Sequence, residues 1–167
     1  DVYKRQALLH AIWTDDRDLI RRFALEGYLE AAIVLAENSG DTGPLKKIAS
    51  SENGNPELQM RIYLQFPDND RLYWLCQAAD NGYFQAQIEV GNLYWRGLLG
   101  IEKDLRRAYV WYSLAAETGS DDWDVWELHS VKKEMTPHQL AESELMLANW
   151  QSGQCERDLF QANTSGN

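Results

Sequence analysis

The chain has 167 residues, of which 26 are acidic and 16 are Lys or Arg, so its formal net charge at pH 7 is −10. The length suits one domain, because domains usually contain roughly 100 to 200 residues. The negative charge argues against binding to nucleic acid or anionic lipid, which requires clustered Lys and Arg, and no apolar stretch reaches the roughly 18 residues of a membrane span.

Apolar residues recur at helical spacing along the whole chain, and the alternation typical of β-strands is almost absent. Asp104 is placed to cap the helix that follows it, and Thr136-Pro137 begins a capping-box helix. The sequence therefore predicts ten helices in five antiparallel pairs, over residues 3–13, 16–26, 28–38, 45–52, 56–65, 70–81, 83–95, 104–118, 122–134 and 137–150. These form one predicted domain at residues 1–150, followed by a polar tail at residues 151–167 that we expect to be partly ordered at best.

Glycines separate several of the predicted helices and predict corners between them. Glycine suits a corner because it adopts the left-handed conformation that ends many helices. The expected corners are Gly27, Gly54, Gly82 and Gly119.

The same pattern of residues occurs twice at an offset of 37 positions. Trp74 matches Trp111, and the same offset relates Gly82 to Gly119. The alanine pair at 78–79 matches the pair at 115–116 in the same order. An internal repeat of this length is typical of helical solenoids.

The second copy carries a more detailed resemblance. Its motif comprises Ala86, Val90, Gly91, Tyr94, Gly97, Gly100, Ile101, Asp104, Arg107, Ala108, Trp111, Ala115, Ala116 and Gly119. This motif resembles the Sel-one-like (Sel1-like) repeat, a relative of the tetratricopeptide repeat, and residues 71–83 are similar to the second helix of a preceding repeat. The resemblance implies an all-α, right-handed α-solenoid with a concave inner face. Residues 136–155 are similar to the capping helix that closes bacterial members.

In tetratricopeptide-type pairs the first helix of each pair lines the concave face. Transferring that register to this chain gives a predicted apolar strip with an acidic rim, which suits a protein partner with hydrophobic and locally basic contact residues. The alternative is that the apolar members of the strip pack against neighbouring helices. The predicted face comprises Glu30, Ile33, Glu37, Met60, Leu64, Gln85, Ile88, Asn92, Trp95, Asp122, Val125 and His129.

No arrangement of residues in the sequence predicts catalysis, a metal site or a cofactor. The chain has three histidines and lacks a serine elbow or phosphate-binding loop. The acidic clusters at residues 15–18 and 121–124 open predicted helices, where negative charge complements the helix dipole. Cys76 is expected to be a buried thiol by default, although a bridge to Cys155 forms if the tail folds back.

The function that this resemblance implies is non-catalytic binding of a protein partner. Some bacterial members look like immunity proteins that neutralise phospholipase-type toxins of type VI secretion, and others resemble cell-envelope assembly or regulatory adaptors. A β-lactam-binding or hydrolysing enzyme is a weaker alternative, because such relatives carry a cysteine pair in each repeat and this chain does not. The resemblance favours the periplasm or cell envelope.

Overall fold

A computed structural model describes residues 2–51, 54–67, 69–119 and 126–161. Within these ranges the chain forms helices and no strand, which confirms the predicted all-α class. The helices are α1 (Val2–Thr14), α2 (Arg17–Leu25), α3 (Leu29–Ser39), α4 (Gly43–Ala49), α5 (Pro56–Gln65), α6 (Arg71–Asp80), α7 (Phe84–Arg96), α8 (Leu105–Thr118), α9 (Trp126–Glu134), α10 (Pro137–Ala148) and α11 (Gln154–Gln161). The first ten correspond to the ten predicted helices, and the predicted residues 122–125 of the ninth lie outside the described ranges.

The chain divides into two compact units, Asp1–Asn55 and Pro56–Asn167. The first unit contains α1 to α4. Its core includes Ala31, Ala32 and Leu35 of α3, together with Leu45 of α4. These small and branched side chains allow short helices to pack closely.

The second unit contains α5 to α11, and its core is built around α7 and α8. Trp111 and Tyr112 of α8 are buried together with Tyr63 of α5 and Tyr94 of α7. Ala108 and Ala115, both fully buried, leave room for these large rings. The aromatic residues of the repeat therefore fill the space between helices.

The predicted helix caps are present. The Asp104 carboxylate accepts hydrogen bonds from the backbone N–H groups of Arg106 and Arg107 at the start of α8. Thr136 and Gln139 form a complete capping box at the start of α10. In each case the cap satisfies backbone N–H groups that have no partner within their own helix.

Two of the corner glycines adopt the expected left-handed conformation. Gly27 has φ +93° and Gly82 has φ +80°, and each follows a helix. Gly119 differs from the prediction, because it ends α8 at φ −67° and ψ 167°, in the extended region. The chain leaves α8 without a left-handed turn, so the two copies of the repeat end differently.

Part of the polar tail forms a helix. Residues 154–161 form α11, and Cys155 makes a disulfide with Cys76 of α6. The expectation of a free buried thiol at Cys76 is therefore wrong. Leu159 of α11 is also buried. The disulfide and this apolar contact explain why a mostly polar segment folds onto the second unit.

Candidate functional site

The four predicted site residues of α7 lie on the less buried part of that helix. Gln85 is exposed, and Ile88, Asn92 and Trp95 are half-buried. The other side of α7 packs into the core through a set of buried residues. That set is Ala86, Gln87, Val90, Gly91, Leu93 and Tyr94.

A chain of hydrogen bonds crosses three helices beside these residues. The Tyr63 hydroxyl of α5 donates to Glu89 Oε1 at 2.9 Å, and Asn92 Nδ2 donates to Glu89 Oε2 at 3.4 Å. The Tyr112 hydroxyl of α8 donates to Asn92 Oδ1 at 2.9 Å. Asn92 and Glu89 are therefore held by partners on both sides, which fixes the geometry of this surface.

Two tryptophans continue the surface from α7 to α9. The rings of Trp95 and Trp126 meet edge to face, with centroids 6.0 Å apart. Trp126 is 57% exposed. The Trp95 indole N–H donates to Glu134 Oε1 at 2.8 Å, and Lys103 Nζ bonds to the other oxygen of Glu134 at 3.0 Å. We call this surface the aromatic–acidic face and define it by Glu89, Asn92, Trp95, Trp126 and Glu134; the buried Tyr63 supports it through its hydrogen bond to Glu89.

The ionisation of the face follows from these contacts. Hydrogen bonds from the Trp95 indole and the Lys103 ammonium lower the pKa of the Glu134 carboxyl. Burial raises the pKa of Tyr63 to about 12, and the neighbouring Glu89 carboxylate adds to the effect. At neutral pH the Glu134 carboxyl is therefore ionised and the Tyr63 hydroxyl keeps its proton. The face offers hydrogen-bond acceptors and aromatic edges to a partner.

The other predicted residues of the second unit are on α5, on α9 or outside the described ranges. Met60 is half-buried and Leu64 is 62% exposed, both on α5. His129 is exposed on α9. Asp122 and Val125 lie outside the described residues. None of the described members in this unit is fully buried, and the choice between an exposed apolar strip and a packed one stays a prediction.

Three predicted residues belong to the first unit, all on α3. Glu30 is exposed, with a carboxylate oxygen 3.8 Å from Arg5 Nη2 of α1. Ile33 is half-buried, and Glu37 is exposed. The structure describes this group by itself, and its membership of one groove with the α7 residues stays a prediction.

Sequence reasoning missed Glu89, Trp126 and Glu134 of the face, and the buried Tyr63 that holds Glu89 by a hydrogen bond. The transferred register selected groove positions from the first helix of each pair and passed over their immediate neighbours, Glu89 after Ile88 and Trp126 after Val125. Glu134 comes from the end of α9, and only tertiary contact brings it to Trp95.

The described residues offer little to a metal or a thiol-based reaction. Among them, no three His, Cys, Asp or Glu side chains group in a way that could hold a metal ion. Both cysteines are joined in the disulfide, so neither is a free thiol. Of the helices that are described, none has the length and apolar character needed to cross a bilayer.

Comparison with known protein families identifies the Sel1 repeat at residues 72–83 and 84–120. The comparisons find no significant match among curated proteins or solved structures. The first match covers nearly all of α6, and the second covers the pair α7 and α8 with the loop between them. Sel1 repeats build helical solenoids and generally act as protein–protein interaction modules, without a catalytic role of their own. The chain therefore contains two Sel1 repeats within residues 72–120, and the aromatic–acidic face is centred on the second of them.

Proposed function

We propose that the chain is a non-catalytic module that binds one protein partner through the aromatic–acidic face. The observation that carries this proposal is the pair Trp95 and Trp126, which leaves indole surface exposed beside the Glu134 carboxylate. Tryptophan is enriched among the residues that dominate binding energy, because a large rigid ring buries much area at little cost in conformational entropy. A surface indole pair held by hydrogen bonds is therefore a suitable anchor for a partner.

Charge indicates the chemistry of that partner. Glu89 and Glu134 belong to the face, and the whole chain has a formal net charge of −10. A partner with basic residues around an apolar contact would associate faster and in a defined orientation. Within the second unit, the predicted residues Met60, Leu64, Gln85, Ile88 and His129 extend the proposed contact surface. Glu30, Ile33 and Glu37 of α3 stay a separate set of predicted contact residues in the first unit.

The proposed biological role is that of an immunity protein against a phospholipase-type toxin of type VI secretion. An acidic chain that carries interaction repeats suits the inhibition of a protein partner. The Cys76–Cys155 disulfide supports a location in an oxidising compartment such as the periplasm, where disulfides persist. The same disulfide favours the second candidate, a cell-envelope assembly or regulatory adaptor.

The decisive experiment first asks whether a neighbouring gene encodes a secreted phospholipase, and then measures binding to, and inhibition of, that purified enzyme. We expect Trp126→Ala to weaken binding by roughly 30-fold, as for a residue worth about 2 kcal/mol at an interface. Ile88→Asp should weaken it further by placing a buried charge in the contact. Trp13→Ala is the matched control, because Trp13 is 85% exposed on α1 and is not part of the proposed surface.

Wild-type affinity in both Trp126→Ala and Ile88→Asp would refute the aromatic–acidic face as the binding surface. Binding to an envelope protein without any effect on the phospholipase would favour the adaptor. Circular dichroism of each variant separates loss of contact from loss of fold.

A further inference from the structure

A cavity of about 800 Å³ opens in the second unit, at some distance along α7 from the two tryptophans. It lies beside the corner between α6 and α7 and beneath the ends of α8 and α10. Gln87, in the first turn of α7, is among its lining residues, whereas Trp95 is near the other end of that helix. The cavity is therefore a separate feature from the aromatic–acidic face.

The rim of the cavity is acidic. Asp80, Glu117 and Glu144 line it, and the described lining residues include no Lys, Arg or His. Glu117 and Glu144 are exposed, so their carboxylates are free to turn toward an occupant. Three carboxylates without a lining cation create a field that attracts positive charge.

Helix ends add to this field. Asp80 is the last residue of α6, Thr118 is the last residue of α8 and Ala148 is the last residue of α10, and all three line the cavity. The C-terminal end of a helix carries a partial negative charge, which stabilises a nearby cation. Three such ends at one cavity act in the same direction as the carboxylates.

The inner wall of the cavity is apolar. Leu114, Leu147 and the Trp150 indole contribute to it. The Trp150 ring is held edge to face against Trp111, with centroids 5.9 Å apart. Among the described residues, the buried atoms Trp150 Nε1 and Asp80 Oδ2 have no hydrogen-bond partner. Both atoms are buried, so what the wall offers to an occupant is apolar surface, which suits a hydrocarbon stem.

We propose that this cavity receives a basic side chain, Arg or Lys, of a partner protein together with the apolar residues next to it. A long hydrocarbon stem with a cationic end matches an apolar wall under an acidic rim, because such side chains bury the stem and keep the charge among carboxylates. The volume accommodates more than one side chain, which favours a peptide segment over a single small cation. This second contact is independent of the aromatic–acidic face.

The probe for this proposal is the peptide acetyl-Leu-Arg-Leu-amide, with its citrulline analogue as an uncharged control of nearly the same shape. Binding is followed by NMR through the indole N–H signal of Trp150, which is assigned by its loss in Trp150→Phe. We expect the arginine peptide to shift this signal saturably. The citrulline peptide should bind at least about fivefold more weakly, since it lacks the charge that the carboxylates attract.

Variants of the rim provide the second arm. The double variant Glu117→Gln/Glu144→Gln should lower the affinity for the arginine peptide by about 3- to 10-fold. Glu102→Gln, in the exposed loop before α8, should leave that affinity unchanged. Ala148→Lys should abolish binding by placing a cation in the cavity. Trp95→Ala should leave peptide binding intact, so this test is independent of the proposed partner-binding face.

Equal affinity for the arginine and citrulline peptides would overturn the proposal, as would a double variant that binds like the wild type. Tighter binding of spermidine than of the peptide, at the same Trp150 signal, would also overturn it in favour of a small polyamine. If neither peptide shifts the indole N–H signal of Trp150, the cavity is not a peptide-binding site.

Discussion

Gly91 of α7 lies directly against the ring of Tyr112 on α8. A Cβ atom at Gly91 would stand 2.5 Å from Tyr112 Cε1 and 2.7 Å from Cδ1. The ring has little freedom to move away, because Tyr112 is fully buried and its hydroxyl donates to Asn92. This contact sets how closely the two helices of the second repeat approach, and it ties the core to the candidate binding surface.

We expect Gly91→Ala to destabilise the second unit. Alanine gains about 1 kcal/mol over glycine inside a helix, but overpacking a full core costs about 1 to 3 kcal/mol. Because the nearest atoms belong to a buried ring held by a hydrogen bond, the clash should prevail, with a net loss of up to about 2 kcal/mol in the free energy of unfolding by urea. Gln85→Ala, at an exposed position of the same helix, is the control, and an unchanged urea midpoint for Gly91→Ala would contradict the prediction.

Breaking the Cys76–Cys155 disulfide should destabilise the protein. The bridge joins residues 79 positions apart, and closing a loop of that length lowers the entropy of the unfolded chain by an amount worth about 4 kcal/mol. Urea unfolding with and without a reductant measures the effect. The variant Cys76→Ala/Cys155→Ala should unfold at the same urea concentration in both conditions, and a wild type indifferent to reductant would contradict the prediction.

Asp80 should make stability depend on pH. Burial raises the pKa of its carboxyl from 3.8 to about 6, and the negative charge of Glu156 adds to the increase. Hydrogen bonds from the backbone of Cys155 and Gly153, and the positive charge of Arg157, lower the pKa but do not cancel the effect of burial. The folded state therefore holds a proton in a pH range where the unfolded state has lost it. The free energy of unfolding should fall as pH rises from about 4 to above 6, and the protein should remain less stable there.

The variant Asp80→Asn isolates this effect, because other carboxyl groups titrate in the same range. Asparagine can still accept the hydrogen bond from the Cys155 backbone N–H that Asp80 accepts. We expect the melting temperature of Asp80→Asn to exceed that of the wild type at pH 7.5, with the difference shrinking or reversing at pH 4. A difference that stays constant with pH would show that Asp80 does not titrate as described.

The Asp104 cap should contribute measurably to the stability of α8. Asp104→Ala removes the acceptor for two backbone N–H groups and the ion pair with Arg106, whose Nε lies 3.3 Å from Asp104 Oδ1. The free energy of unfolding, measured with urea, should fall by about 1 to 2 kcal/mol in Asp104→Ala. Asp104→Ser should recover most of this loss, because serine also caps helices. Glu102→Ala, two residues earlier in the loop, should have no comparable effect. Equal losses in the alanine and serine variants would assign the effect to charge instead of capping.

The sequence alone determined the helices and the repeat, because both depend on local patterns. Asp104, Thr136 and the glycines 27 and 82 mark helix ends through interactions within a few residues, and the spacing of Trp74 and Trp111 is visible along the chain. These features need no knowledge of distant contacts.

Tertiary structure alone decided the rest. Cys155 reaches Cys76 only because α11 folds back onto α6, and Glu134 meets Trp95 only because α9 passes the end of α7. The cavity at Asp80 exists because the ends of α6, α8 and α10 meet there. A bond or a cavity between residues far apart in the chain depends on how the helices pack in three dimensions. Helical periodicity in the sequence specifies which face of a helix is buried, but it does not specify which other helix covers that face.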